Sequence, residues 1–159
     1  MNSKKNNNRI WHYYSNSTEG RRYAEDILES LHKTNGEIDE SLKIVSHSMG
    51  GAYAKGYVNA ILDYAKGHNI AGVIVAFEAD FAPFQPKKQK AVKDKNMGPT
   101  LQFSHSSDNV AGNDPMPGAD QMDTSKDTDQ GHAIVSFTTD DILNLPAGSY
   151  KIINGKIVR

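Results

Sequence analysis

Residues 43–53 read Lys43-Ile-Val-Ser-His-Ser-Met-Gly-Gly-Ala-Tyr53. The first five form a short, largely apolar run with β-branched residues, the composition of a strand. Gly50-Gly51 then opens a helix that runs to about Lys66, with Gly67 as its stop. Tyr53, Tyr57, Ala60, Ile61 and Tyr64 recur at helical spacing and predict its apolar face. Ala52, Ala54 and Gly56 are small enough to let it approach a sheet closely. The stretch is a strand, a sharp bend and a helix, with Ser48 at the bend.

The same alternation extends on both sides. Upstream, residues 9–14 (Arg-Ile-Trp-His-Tyr-Tyr) are aromatic-rich and predict a strand. Asn16, Ser17 and Thr18 can accept hydrogen bonds from free backbone donors, and Glu19 suits the first turn of a helix. Tyr23, Ala24, Ile27, Leu28 and Leu31 continue at helical spacing, so residues 18–34 predict a helix stopped by Asn35-Gly36. Downstream, residues 72–77 are a continuous Val/Ile/Ala/Phe run, the pattern of a strand buried on both faces. Residues 99–104 predict another strand and residues 139–145 a short helix. Asn154-Gly155 between two apolar runs signals a hairpin, because a type I′ turn needs two residues at positive φ. The expected fold is α/β: a mainly parallel sheet flanked by helices, with a C-terminal β-hairpin. Residues 1–8 are expected to be a polar, mobile leader, and residues 9–159 a single domain.

Composition narrows the function. The chain has 159 residues, 37% of them apolar, enough for a core and too many for a disordered chain. Its 18 basic and 19 acidic residues give a net charge of −1, so no global positive field draws it to nucleic acid or anionic membranes. It has no cysteine, which excludes disulfides, thiol nucleophiles and zinc–cysteine sites. The longest apolar run, residues 70–77, is far short of a transmembrane segment, and no apolar stretch follows the charged N-terminus as in a signal peptide. No P-loop, dinucleotide-binding glycine pattern or H-E-x-x-H occurs, so no cofactor is expected.

Ser46-His47-Ser48-Met49-Gly50 resembles the nucleophile elbow G-x-S-x-G of the α/β-hydrolases, in the His-Ser-Met-Gly-Gly form common in lipases and esterases. It departs from the pattern at its first small position, which is Ser46 rather than glycine. The resemblance implies a small or truncated α/β-hydrolase with a triad in the chain order serine, acid, histidine. Ser48 would be the nucleophile. Ser106-Ser-Asp108-Asn-Val110, just after a predicted strand, resembles the family's acid turn. Gly131-His132 ahead of a C-terminal apolar run resembles its catalytic histidine. Asp80, at the end of the preceding strand, is the rival acid, since some lipases place theirs there. Its plainer reading is a polar cap at a strand end, and that of Asp108 is an Asx-turn residue. The Met49 amide at the helix start would be one oxyanion donor. The second, which the family takes from an earlier loop, falls to Ser15. His47 would support the turn, and His105 faces either site or solvent.

The implied activity is cleavage of a carboxylic ester, of a lipid or a small acyl group, by a serine hydrolase. The alternative is a catalytically inactive, hydrolase-like binding or structural module. A metal-dependent hydrolase built on His105, His132 and nearby aspartates lacks ligand spacing, and Asp127-Thr-Asp129-Gln-Gly131 is only a fragment of a calcium loop. The five lysines of residues 87–95 and the aspartates of residues 111–131 form two loops of opposite charge, expected to lie near each other. More loosely, residues 43–159 resemble C-terminal segments of bacterial RHS-repeat-type proteins. That likeness implies a module of a larger, exported or cell-surface protein with a region upstream.

Overall fold

A computed structural model of the protein describes residues 18–124, 131–137, 150–154 and 156–159. The strand expected at residues 9–14, the leader at 1–8 and the helix at 139–145 lie outside the described residues. Helix α1 spans Thr18–Ser30, strand β1 Lys33–Thr34, β2 Glu37–Ile38 and β3 Ser41–His47. Helix α2 follows over Gly50–Gly67, then β4 Ile74–Phe81, β5 Thr100–Phe103 and β6 Gln121–Asp123. Strands β7 (Lys151–Ile153) and β8 (Lys156–Val158) close the chain. The arrangement is mixed α/β, with β3-β4-β5-β6 in one parallel sheet and two antiparallel hairpins.

Helix α1 stops at Ser30, four residues before the sequence-based expectation. Asn35 and Gly36 lie at φ +52° and +84°, the combination a two-residue hairpin turn needs. The chain therefore leaves the helix early so that Lys33 can pair with Ile38. Strands β7 and β8 pair as the expected hairpin, with Asn154 between them at φ +50°.

Strand β4 is the centre of the sheet. It runs four residues past the predicted Phe77, pairing with β3 on one side and β5 on the other. Its second half, Phe77-Glu-Ala-Asp-Phe81, alternates with period two. Phe77, Ala79 and Phe81 join Leu101, Phe103 and Tyr150 in one apolar cluster. Glu78 and Asp80 face the other way and are equally buried. A second apolar cluster gathers Leu28 of α1, Ile38, Val58 and Ile61 of α2, Val75 of β4 and Val92.

The face predicted for α2 is buried only in part: Ala60 and Ile61 lie in the core and Tyr64 packs against it, but Tyr53 is exposed and Tyr57 packs edge-on against Tyr23 of α1. Gly51, Ala54, Lys55, Val58, Leu62 and Ala65 are buried as well. Small side chains sit where the helix crosses the sheet, and the bulky rings sit towards its flank. The two long loops meet as expected through opposite charges: Lys93 binds Asp120 at 2.8 Å, and Lys87 lies 3.8 Å from Asp114. The aspartate-rich segment also contains strand β6, which its composition hides.

Candidate active site

The β3–α2 turn places Ser48 at φ +55°. A non-glycine residue in this region carries strain on the order of 1–3 kcal/mol, which persists only where the surroundings impose it. Here they do. The Ser48 amide donates to the Phe81 carbonyl of β4 at 3.0 Å, and the Ser48 carbonyl accepts from the Phe84 and Gly51 amides at 3.0 and 3.2 Å. The bend is thus locked to the neighbouring strand's carboxyl end on one side and to the first turn of α2 on the other. Met49 occupies the N-cap position of α2, and the first turn contains no acidic residue. The positive end of the helix therefore lies beside the Ser48 hydroxyl, and the Asp80 carboxylate, 3.3 Å from where a Gly51 Cβ would stand, approaches its first turn from β4.

Ser46 fits where the motif carries glycine. A Cβ added at Gly50 would reach the Ser46 Cβ at 3.9 Å, an ordinary contact, so the two sides of the turn are not crowded.

Beyond β5 the chain turns back through residues 104–111. Asp108 combines an Asx-type turn with a contact to His132. Its Oδ1 accepts from the Val110 and Ala111 amides at 2.9 Å each, an Asx-type turn. Its Oδ2 is left for His132 Nδ1 at 3.0 Å. Burial pushes this carboxyl up, but the Ala111 amide, His132 and the Val110 amide together outweigh burial and hold it below its ordinary value.

His132 reaches the same rim from 84 residues away, with Nε2 3.0 Å from Ser48 Oγ. The carboxylate can only accept, so His132 donates from Nδ1, and its Nε2 lone pair is free to accept from the serine. The histidine side chain is 25% exposed while that of Asp108 is fully buried. The row of three groups opens to solvent at its serine end. Gly131 makes this approach possible: a Cβ there would lie 3.0 Å from the Asp108 Cα and amide nitrogen.

Asp80, the rival acid, is held elsewhere. It lies inside β4, buried, and is not a strand-end cap. Its Oδ1 accepts from Ser46 Oγ and its Oδ2 from Lys55 Nζ, each at 2.5 Å. Lys55 also donates to Glu78 Oε1 at 2.9 Å and to the Gly51 carbonyl at 3.4 Å. Burial disfavours the Lys55 ammonium, but Asp80 and Glu78 outweigh that and hold its pKa above the ordinary value. Burial, with Asp80 adding to it, pushes the Glu78 carboxyl up to about 7. Sequence reasoning missed this cluster because a lysine within a helix is ordinarily solvated. The available signal was the Glu78/Asp80 alternation inside a strand with two buried faces.

Ser15, expected as the second oxyanion donor, lies outside the described residues. Among the described residues no group of three or more His, Asp or Glu side chains converges as a metal site requires, and no helix is long and apolar enough to cross a membrane. No protein-family model, curated protein or solved structure matches this chain.

Proposed function

We propose that this chain is an α/β-hydrolase-like serine hydrolase that cleaves carboxylic esters through an acyl-enzyme on Ser48. The observation that carries the proposal is the hydrogen-bonded series Ser48–His132–Asp108, with both links at 3.0 Å and the serine on a strained bend. In this reading His132 Nε2 takes the Ser48 proton as Oγ attacks the ester carbonyl. Asp108 stabilises the imidazolium and fixes its tautomer. The Met49 amide and the N-terminus of α2 stabilise the developing oxyanion, an effect worth about 10²–10³ in rate per donor. His132 then returns the proton to the departing alcohol. Water, activated by the same imidazole, releases the acid and regenerates Ser48. Met49, Val110, Ile134 and Val135, each within three residues of a triad member, are exposed apolar side chains. They support an apolar acyl group, as in a lipid or small acyl ester. On the looser RHS-type likeness, the hydrolase would work as a module of a larger exported protein.

The test is covalent labelling with a fluorophosphonate probe, with turnover of p-nitrophenyl esters measured alongside. The intact protein should be labelled at Ser48 and Ser48→Ala should not. An intact protein that takes no label and turns over no ester would overturn the proposal in favour of a non-catalytic module.

A further inference from the structure

We propose that two histidines outside the triad, His47 and His105, are positioning residues that clamp the segment carrying His132. The inference rests on the serine-hydrolase reading above and assigns a role to side chains which that reading leaves idle. Residues 131–137 hold only a single short 3-10 turn, Ile134–Ser136. Such a segment has few internal hydrogen bonds to fix an imidazole within a few tenths of an ångström.

Its anchors come from the ends of two different strands. His47 is the last residue of β3, one position before the nucleophile. Its Nε2 lies 2.8 Å from the His132 carbonyl oxygen, and its ring lies 5.1 Å from the His132 ring. A carbonyl only accepts, so His47 donates from Nε2. The backbone of the histidine is thereby tied to the bend that presents the serine, across 85 residues of sequence. His105 lies two residues past β5 and is buried. Its Nε2 lies 3.0 Å from Ser136 Oγ, and its ring stacks on Phe137 at 4.3 Å. The Ser136 hydroxyl donates its one proton to the Ala133 carbonyl at 2.6 Å, so it accepts from His105. Gly131 lies flush against the Asp108 backbone and sets the third point of contact.

These contacts fix the segment at its start, at His132 itself and at its end. An imidazole must accept from Ser48 and donate to Asp108 together, so a shift of about 1 Å breaks one or both links and can cost about a hundredfold in rate. His47 and His105 touch no reacting atom; they act through His132.

The experiment compares wild type with His47→Ala, His47→Gln and Ser136→Ala. His47 and Ser136 are each only partly buried, so these variants leave the core intact. Fluorophosphonate labelling rate and ester kcat should fall about ten- to a hundredfold in His47→Ala. KM and Tm should stay close to wild type. His47→Gln, which restores an N–H donor, should recover most of the rate. Ser136→Ala should fall in the same direction. A wild-type labelling rate in His47→Ala, or loss of activity that follows Tm and is not recovered by glutamine, would overturn the proposal. A second readout is independent of turnover: the downfield proton resonance of the His132–Asp108 hydrogen bond. It should be present in wild type and His47→Gln and be lost or broadened in His47→Ala. If wild type is inert towards ester and probe, the hydrolase reading fails, and this resonance alone decides the clamp: unchanged in His47→Ala, it overturns it.

Discussion

Asp108 and Asp80 are both buried carboxylates near the β3–α2 turn, and only their partners tell them apart. Asp108 divides its oxygens between two backbone amides and His132. Asp80 spends both of its oxygens on Ser46 and Lys55. Asp108→Asn keeps the shape of the turn but favours the wrong imidazole tautomer, so kcat for an ester should fall about 10⁴-fold. Asp80→Asn should lower stability and leave kcat within about tenfold of wild type, because a neutral acceptor still faces Ser46. Measuring kcat and Tm for both variants checks this, and a triad-scale loss in Asp80→Asn alone would reverse the assignment. Ser48, Asp108 and His132, which hydrogen bonds join in the structure, were legible as candidates because each sits in a short local pattern: a bend between strand and helix, an Asx-turn string after a strand, and a Gly-His before an apolar run. The partners of Asp80 and His47 were not, because those of Asp80 come from 25 and 34 residues away and that of His47 from 85, and no local pattern encodes such contacts.

At the scale of elements, α2 does two jobs that its sequence mixes together. Its first turn supplies the amide end beside Ser48, and its buried face crosses β4. Lys55 serves the second job with a charge. It is fully buried and binds two carboxylates of β4 while reaching back to the Gly51 carbonyl. Replacing it by methionine keeps the volume and leaves Glu78 and Asp80 facing each other without a cation. Removing one partner of a buried ion pair costs about 3–5 kcal/mol, so Lys55→Met should lower the unfolding free energy in urea by that order. A loss below about 1 kcal/mol would mean that the Lys55 ammonium does not hold this cluster together. The fold class, β3, α2 and the second hairpin were readable from period and turn chemistry. The end of α1 was not, since Asn35-Gly36 reads equally well as a helix stop and as a hairpin turn. Strand β6 was not, since three residues with one apolar side chain gain their strand character from pairing with β5.

Across the whole molecule, the buried charges give stability a shape in pH that the near-zero net charge conceals. Asp108, held below its ordinary value, binds fewer protons folded than unfolded. Its contribution is present above that ordinary value, near 3.8, and is lost as pH falls through the folded pKa. Glu78 has the opposite sign. Its carboxyl is pushed up to about 7 from an ordinary 4.5, so between these values the folded chain holds a proton that the unfolded chain releases. Stability should therefore fall as pH rises from about 4.5 to 7, with a slope of at most ~1.4 kcal/mol per pH unit for one proton. His32 is raised by its hydrogen bond to Asp39 and adds a decline of the same sign, but only above its ordinary 6.5. The Glu78 contribution is thus read below pH 6. Glu78→Gln keeps a polar group beside Lys55, leaves the Lys55–Asp80 pair intact and removes the titrating proton. Urea unfolding midpoints of wild type should drop between pH 4.5 and 6, while those of Glu78→Gln should change much less over the same interval. Parallel curves would place the proton on a group other than Glu78.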